Sequence, residues 1–277
     1  KVSKIKDKFN FDTQVDLDQT SFKINFLDFV TNDESKIQIK MLGSYENKNS
    51  LIFKNLSIID KNNRFILKNI HLNKNNLIEK LDKANLEFLD SQNKKNDILV
   101  KKIKKNKYQI TGSSFNAEKL IDSLLIGKKD NNSRLFQNDI KINLNIKEVY
   151  LDNLYSVNNL GGNLNIKNNE IYAAKISGDF DNVDNLKFTV NTNDVGEKIT
   201  TLFSSRAKPL VKRYKFIKGF EDSDEGYLDF YSSKKDGASN SKLIIDNFKV
   251  KEIPVLAKLL ALASLQGIAD LLTGEGI

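Results

Sequence analysis

The stretch IKINLNI, residues 140–146, places Ile140, Ile142, Leu144 and Ile146 on one parity and Lys141, Asn143 and Asn145 on the other. Successive side chains of an extended chain point to opposite faces, so this is a strand with one apolar and one wet face. The same period spreads outward in both directions. Downstream come Leu164 and Ile166, then Leu186, Phe188 and Val190, then Leu228 and Phe230, and Leu243 and Ile245. Upstream lie Phe22, Ile24 and Phe26; Ile37, Ile39 and Met41; Phe65 and Leu67; Leu86 and Phe88; and Tyr108 and Ile110. Turn-forming clusters such as Asp60-Lys61-Asn62-Asn63, Lys167-Asn168-Asn169 and Lys235-Asp236-Gly237 separate the runs at hairpin spacing. The pattern predicts a mainly β fold, a meander of antiparallel strands.

Three helices are expected to interrupt it. Asn116 is placed to cap a segment over 117–126 that carries Ala117, Leu120, Ile121, Leu124 and Leu125 on one face and stops at Gly127. Asp194 with Glu197 has the spacing of a capping box, and Val195, Ile199, Leu202 and Phe203 follow over 195–206 before Pro209. The third segment, 254–272, opens on Pro254, ends at Thr273-Gly274 and is apolar nearly all round, with Lys258, Gln266 and Asp270 within about a third of its circumference alongside Leu259 and Leu262. At ~1.5 Å per residue it is nearly as long as a bilayer core is thick. It suits a cap or plug on the sheet, a membrane-surface contact, or a span. Leu77 to Leu81 reads equally as helix or strand.

The supply of chemistry is thin. His71, the only histidine, sits in KNIHLN, where alternation puts it on the wet side of a strand. A single histidine cannot build a two-histidine metal site, and the absence of cysteine removes disulfides, thiolate zinc sites and cysteine nucleophiles. Glu221-Asp222-Ser223-Asp224-Glu225 reads as a solvated acidic loop. Gly127-Lys128-Lys129 lacks the upstream glycine and the hydroxyl residue of a phosphate loop. No catalytic residue, cofactor site or metal site is expected. The formal net charge of +8 permits an anionic partner, and its densest source, Lys94 to Lys107, is interleaved with Ile98, Leu99, Val100 and Ile103 as a solvated strand face would be. No RNA-binding signature occurs among the aromatics, and nucleic acid is not an expected partner.

The C-terminal stretch SKLIIDNFKVKEIPVLAKLLALASLQGIADLLTGEGI, residues 241–277, resembles the signature of the AsmA-like superfamily of Gram-negative envelope proteins, in particular the YhdP-type C-terminal domain. TGSSFNAEKLIDSLL (111–125) is similar to that family's strand and short helix, NLGGNLNI (159–166) to its glycine-marked hairpin, and NDVGEKITTLF (193–203) to its DxGxxL helix. In the last, Gly196 is followed by Glu-Lys where smaller residues belong. The likeness covers roughly residues 108–277. It implies a β-rich repeat region over 1–115 and an AsmA-like C-terminal region over 116–277, the chain being a piece of a longer protein. It also implies an elongated, curved antiparallel sheet forming an open groove or half-pipe, in a periplasmic protein anchored to the inner membrane by a segment outside this piece. The expected role is non-enzymatic: part of a periplasm-spanning hydrophobic groove that carries phospholipid between inner and outer membranes, whose proteins would be further partners. The residues expected to meet acyl chains are Ile140, Ile142, Leu144, Ile146, Leu164, Ile166, Leu186, Phe188, Val190, Leu259, Leu262 and Leu265. The alternative is a structural or protein-binding β-scaffold of the envelope.

Overall fold

The computed structural model describes residues 2–5, 8–31, 35–46, 50–75, 77–119, 139–167, 170–181, 183–214, 220–221, 226–246 and 249–250. The first half contributes β1 (Val2–Ile5), β2 (Lys8–Leu17), β3 (Lys23–Ile24), β4 (Phe29–Val30), β5 (Ile37–Glu46), β6 (Ser50–Ile59), β7 (Arg64–Leu72), β8 (Ile78–Lys80), β9 (Lys83–Leu89), β10 (Lys95–Lys104) and β11 (Lys107–Asn116). The second contributes β12 (Ile140–Tyr150), β13 (Ser156–Lys167), β14 (Glu170–Phe180), β15 (Asp184–Thr192), β16 (Lys198–Ser204), β17 (Phe220–Glu221), β18 (Leu228–Lys235), β19 (Ala238–Ile245) and β20 (Lys249–Val250). Among the described residues a 3-10 turn spans Asn25–Leu27 and a short helix, α1, spans Lys208–Tyr214.

The protein is one large, curved, open sheet that does not close into a barrel. Among the described residues it has 16 strands, and its path follows the chain almost without exception from β1 to β19. Short polar turns make this order the cheap one. At Asp236-Gly237 both residues are left-handed, with φ of 51° and 79°, as a two-residue hairpin turn matched to strand twist requires. At the Asp60 turn, the carboxylate accepts the backbone N–H groups of Asn62 and Asn63 at 2.8 Å each. Leu77 to Leu81 resolves as strand, through β8.

One ladder departs from the meander, because β11 and β12 pair in parallel. A parallel neighbour requires a crossover rather than a hairpin, and the chain between them, 117–139, contains the first expected helix. Its start is seen: the Asn116 side-chain oxygen accepts the Glu118 N–H at 3.0 Å, as an N-cap does, and residues 118–119 are helical. The rest of 117–126 lies outside the described residues, as do 254–272, with Leu259, Leu262 and Leu265, and residues 222–225 of the acidic loop.

Two expectations are corrected. Residues 195–206 are not a helix: Lys198–Ser204 form β16, hydrogen-bonded to β15 and β18. Ile199, Thr200 and Thr201 are β-branched and favour extended backbone. In addition, Asn193 rather than Asp194 gathers the local N–H groups, its oxygen accepting those of Val195 at 3.2 Å and Glu197 at 2.9 Å to make a turn. Pro209 does not close a helix but sits in the first turn of α1, where its missing N–H costs nothing. Gly161-Gly162 do not mark a hairpin either. They lie inside β13 at a register shift against β14, with Gly162 at φ 146°.

The two sets of strand ends differ. At one rim the turns are tight: 105–106 joins β10 to β11, 193–197 joins β15 to β16, and 236–237 joins β18 to β19. The other rim carries the long insertions 18–36 and 205–227 and the exit of β11 into the crossover, which re-enters the sheet at the tight-turn rim where β12 begins. The insertion 18–36 lays Phe22, Ile24, Leu27 and Phe29 onto Phe65 and Phe88, with the Phe29 and Phe65 rings 4.8 Å apart. Helix α1 adds Leu210 and Val211 to the main core.

Candidate functional site

Following the paired positions from strand to strand reveals a line that no single segment displays. Met41 on β5 pairs with Leu56, Leu56 with Leu67, Leu67 with Ala84, Ala84 with Val100, and Val100 with Ile110 on β11. The line continues through Leu144, Gly162, Ile176, Phe188, Leu202 and Phe230 to Leu243 on β19. No polar side chain interrupts it. At ~4.8 Å per strand it runs roughly 60 Å across the sheet. A second row lies beside it toward the insertion rim: Ile39, Ile58, Phe65, Leu86, Ile98, Gly112, Ile146 and Leu160.

The nine expected contact residues that fall among those described are all on this face. Leu144 and Phe188 belong to the long row and Ile146 to the second. Ile142, Leu164 and Val190 belong to the row toward the hairpin rim, where Ile142 pairs with Leu164 and Val190 pairs with Ala174, itself opposite Leu164. Ile140 pairs with Ile166 at that rim, and Leu186 pairs with Gly178 near the other. Their burial is uneven. Ile166 is 1 % exposed and Leu186 9 %, whereas Leu144, with its neighbours Ile110 and Ile176, is only partly buried. Gly162 sits between Leu144 and Ile176 on the row and presents no side chain there. The row therefore keeps partly exposed apolar surface there, as it does at Met41, Leu56, Leu67, Val100 and Leu243.

Glycine is required at 162. A Cβ built there would lie 2.0 Å from the Lys175 carbonyl oxygen and 2.8 Å from the Ile176 Cα. At the hairpin-rim side Tyr108 pairs with Ile142 and is 4 % exposed, and burial holds its phenol above the ordinary pKa. His71 is half-buried rather than on a fully wet face; desolvation, then Lys80, lowers its pKa. Among the described residues, no cluster of three or more His, Cys, Asp or Glu is arranged to hold a metal ion.

The sequence reading missed a buried polar knot at the insertion rim. Asp90 is 4 % exposed, Asn96 1 % and Asn116 8 %. The Asp90 carboxylate accepts the backbone N–H groups of Gln92 at 2.9 Å and Lys94 at 3.0 Å, and the side-chain amides of Asn116 at 2.7 Å and Asn96 at 3.3 Å. The Asn96 oxygen in turn accepts the Asn116 N–H at 2.7 Å. The knot fixes the start of the crossover, and Arg213 of α1 donates to the carbonyls of Leu151 at 2.7 Å and Glu118 at 2.9 Å, tying helix and crossover together. Its sequence signal, Asp90 and Asn96 flanking a turn with Asn116 far away, is indistinguishable from ordinary turn chemistry.

No protein-family model, curated protein or solved structure matches this chain.

Proposed function

We propose that the apolar track shelters the acyl chains of phospholipid, as one section of a hydrophobic groove between the inner and outer membranes of a Gram-negative envelope, consistent with the AsmA-like resemblance of residues 108–277. The observation that carries the reading is the uninterrupted apolar row from Met41 to Leu243. Each methylene left in water costs ~0.8 kcal/mol, so a lipid with about 30 of them meets a barrier on the order of 20 kcal/mol unless apolar surface replaces the solvent along its path. A track of this kind needs no nucleophile, metal or cofactor. The partly buried Ile110, Leu144 and Ile176, beside the side-chain-free Gly162, offer a chain apolar surface to lie against.

A second reading, a structural or protein-binding scaffold, is favoured by the depth of burial elsewhere on the same face, such as Val157 and Ile166 at 1 %. Mass spectrometry of organic extracts of the purified protein separates the two. Co-purified phospholipid is expected, and it should be lost on Leu144→Asp and retained on Asn145→Asp on the exposed face. A folded protein that carries no phospholipid, or one in which both changes act alike, would leave the scaffold reading in place.

A further inference from the structure

The opposite, polar face carries a feature that lipid shelter does not use. Lys104 pairs with Lys107, and Lys107 pairs with Lys141, which puts three ammonium groups on adjacent strands at directly opposed positions. Like charges in that arrangement repel, and a merely solvated face gains nothing from them. The backbone enforces the alignment: the Lys141 N–H donates to the Asn106 carbonyl at 2.8 Å, pinning the start of β12 to the tip of the β10–β11 hairpin. In the next row of the same face Lys101 pairs with Gln109, and the line passes through Asn143 and Asn163 to Lys175. Across these two rows from β10 to β14 there is no carboxylate. Lys101, Lys104, Lys141 and Lys175 are exposed, and none of the ion pairs among the described residues reaches them or Lys107. Lys107, Lys141 and Lys175 converge with Asn143, Asn163 and Asn165 on a shallow depression of about 300 Å³.

We propose that this lysine and carboxamide face, beside the hairpin rim of β10–β14, docks the protein on an anionic lipid surface, with phosphate-bearing headgroups settling in the depression. Five cations without an interposed carboxylate match a negatively charged leaflet, and the carboxamide N–H groups are further donors for phosphate oxygens. Ile103, 43 % exposed at the bulge beside Lys104, adds an apolar group that an interface can take up. A nucleic acid is the less suitable polyanion, because neither row carries an aromatic ring between β10 and β14 on which a base could stack. The docking face is opposite the apolar track and stands whether or not the track carries acyl chains.

Co-sedimentation with vesicles tests it. The protein should bind vesicles in which about a third of neutral phosphatidylcholine is replaced by phosphatidylglycerol, bind pure phosphatidylcholine poorly, and weaken as salt is raised. Combining Lys107→Glu, Lys141→Glu and Lys175→Glu should lower the affinity for anionic vesicles by about tenfold or more, while Lys61→Glu, Lys95→Glu and Lys147→Glu near the insertion rim should change it less than about twofold. The corresponding glutamine triple at 107, 141 and 175 should show an intermediate loss, and its unchanged thermal melt would separate lost docking from lost folding. Equal binding to neutral and anionic vesicles, or equal loss from both glutamate triples, would overturn the proposal. So would displacement from vesicles by a single-stranded oligonucleotide at far lower charge concentration than by free phosphatidylglycerol vesicles, which would reassign the face to nucleic acid.

Discussion

Two glycines with positive φ show how differently one residue type is used. Gly162 meets the Lys175 carbonyl and the Ile176 backbone within the sheet, whereas Gly237 has nothing within 4 Å of its absent Cβ. Gly162→Ala should therefore cost about 2 kcal/mol or more, since both conformation and space oppose it, and Gly237→Ala about 1 kcal/mol from conformation alone; thermal or urea melts of the two variants make the comparison. His71 supplies a pH dependence. Its pKa is lowered in the fold by desolvation and by Lys80, so the unfolded chain binds the proton more readily. The stability contributed by the neutral imidazole is complete above the unfolded pKa of ~6.5 and declines as pH falls through that value toward the folded one. His71→Gln should flatten this part of the stability profile below pH ~6.5, with no difference in slope above pH ~7.5.

Among the elements, Asp90 ties the β9–β10 turn to β10 and to the end of β11. Its carboxylate satisfies four donors, and truncation would strand the amides of Asn96 and Asn116 in a buried site. Asp90→Ala should cost about 3 kcal/mol, and Asp97→Ala, which loses a single bond to the Ser113 hydroxyl near the surface, under about 0.5 kcal/mol. Limited proteolysis should show the first variant cut sooner within 117–139 and 205–227, because Arg213 and Glu118 couple those segments to the knot. The β16 segment carries the opposite lesson. Asp194 and Glu197 have helix-start spacing, yet the backbone of Lys198–Ser204 bonds to β15 and β18, and Glu197 accepts the Ser233 hydroxyl at 2.6 Å. Partners remote in sequence outweigh a local capping pattern whose net value is ~1 kcal/mol.

For the molecule as a whole, an open sheet distributes stability from the centre outward. Amides of β10 to β12, at the middle of the sheet and paired on both sides, should exchange with solvent most slowly, and those of the end strands β1 and β19 fastest, in a hydrogen-exchange experiment; uniform protection across all strands would contradict this order. The period-two runs by themselves determined that the chain is β-rich and that, strand by strand, Ile140, Ile142, Leu144 and Ile146, then Leu164 and Ile166, then Leu186, Phe188 and Val190 each share a side, because alternation is a property of each strand's own backbone. The polar turns also determined that most neighbours in sequence are neighbours in the sheet. Only the tertiary structure decided the parallel pairing of β11 with β12, the conversion of 195–206 to strand, the register shift between Asn158 and Gly161, the knot at Asp90, and the joining of separate apolar residues into one row from Met41 to Leu243. Each depends on register between strands, and register is set by partners distant in the chain, which a local pattern of residues does not specify.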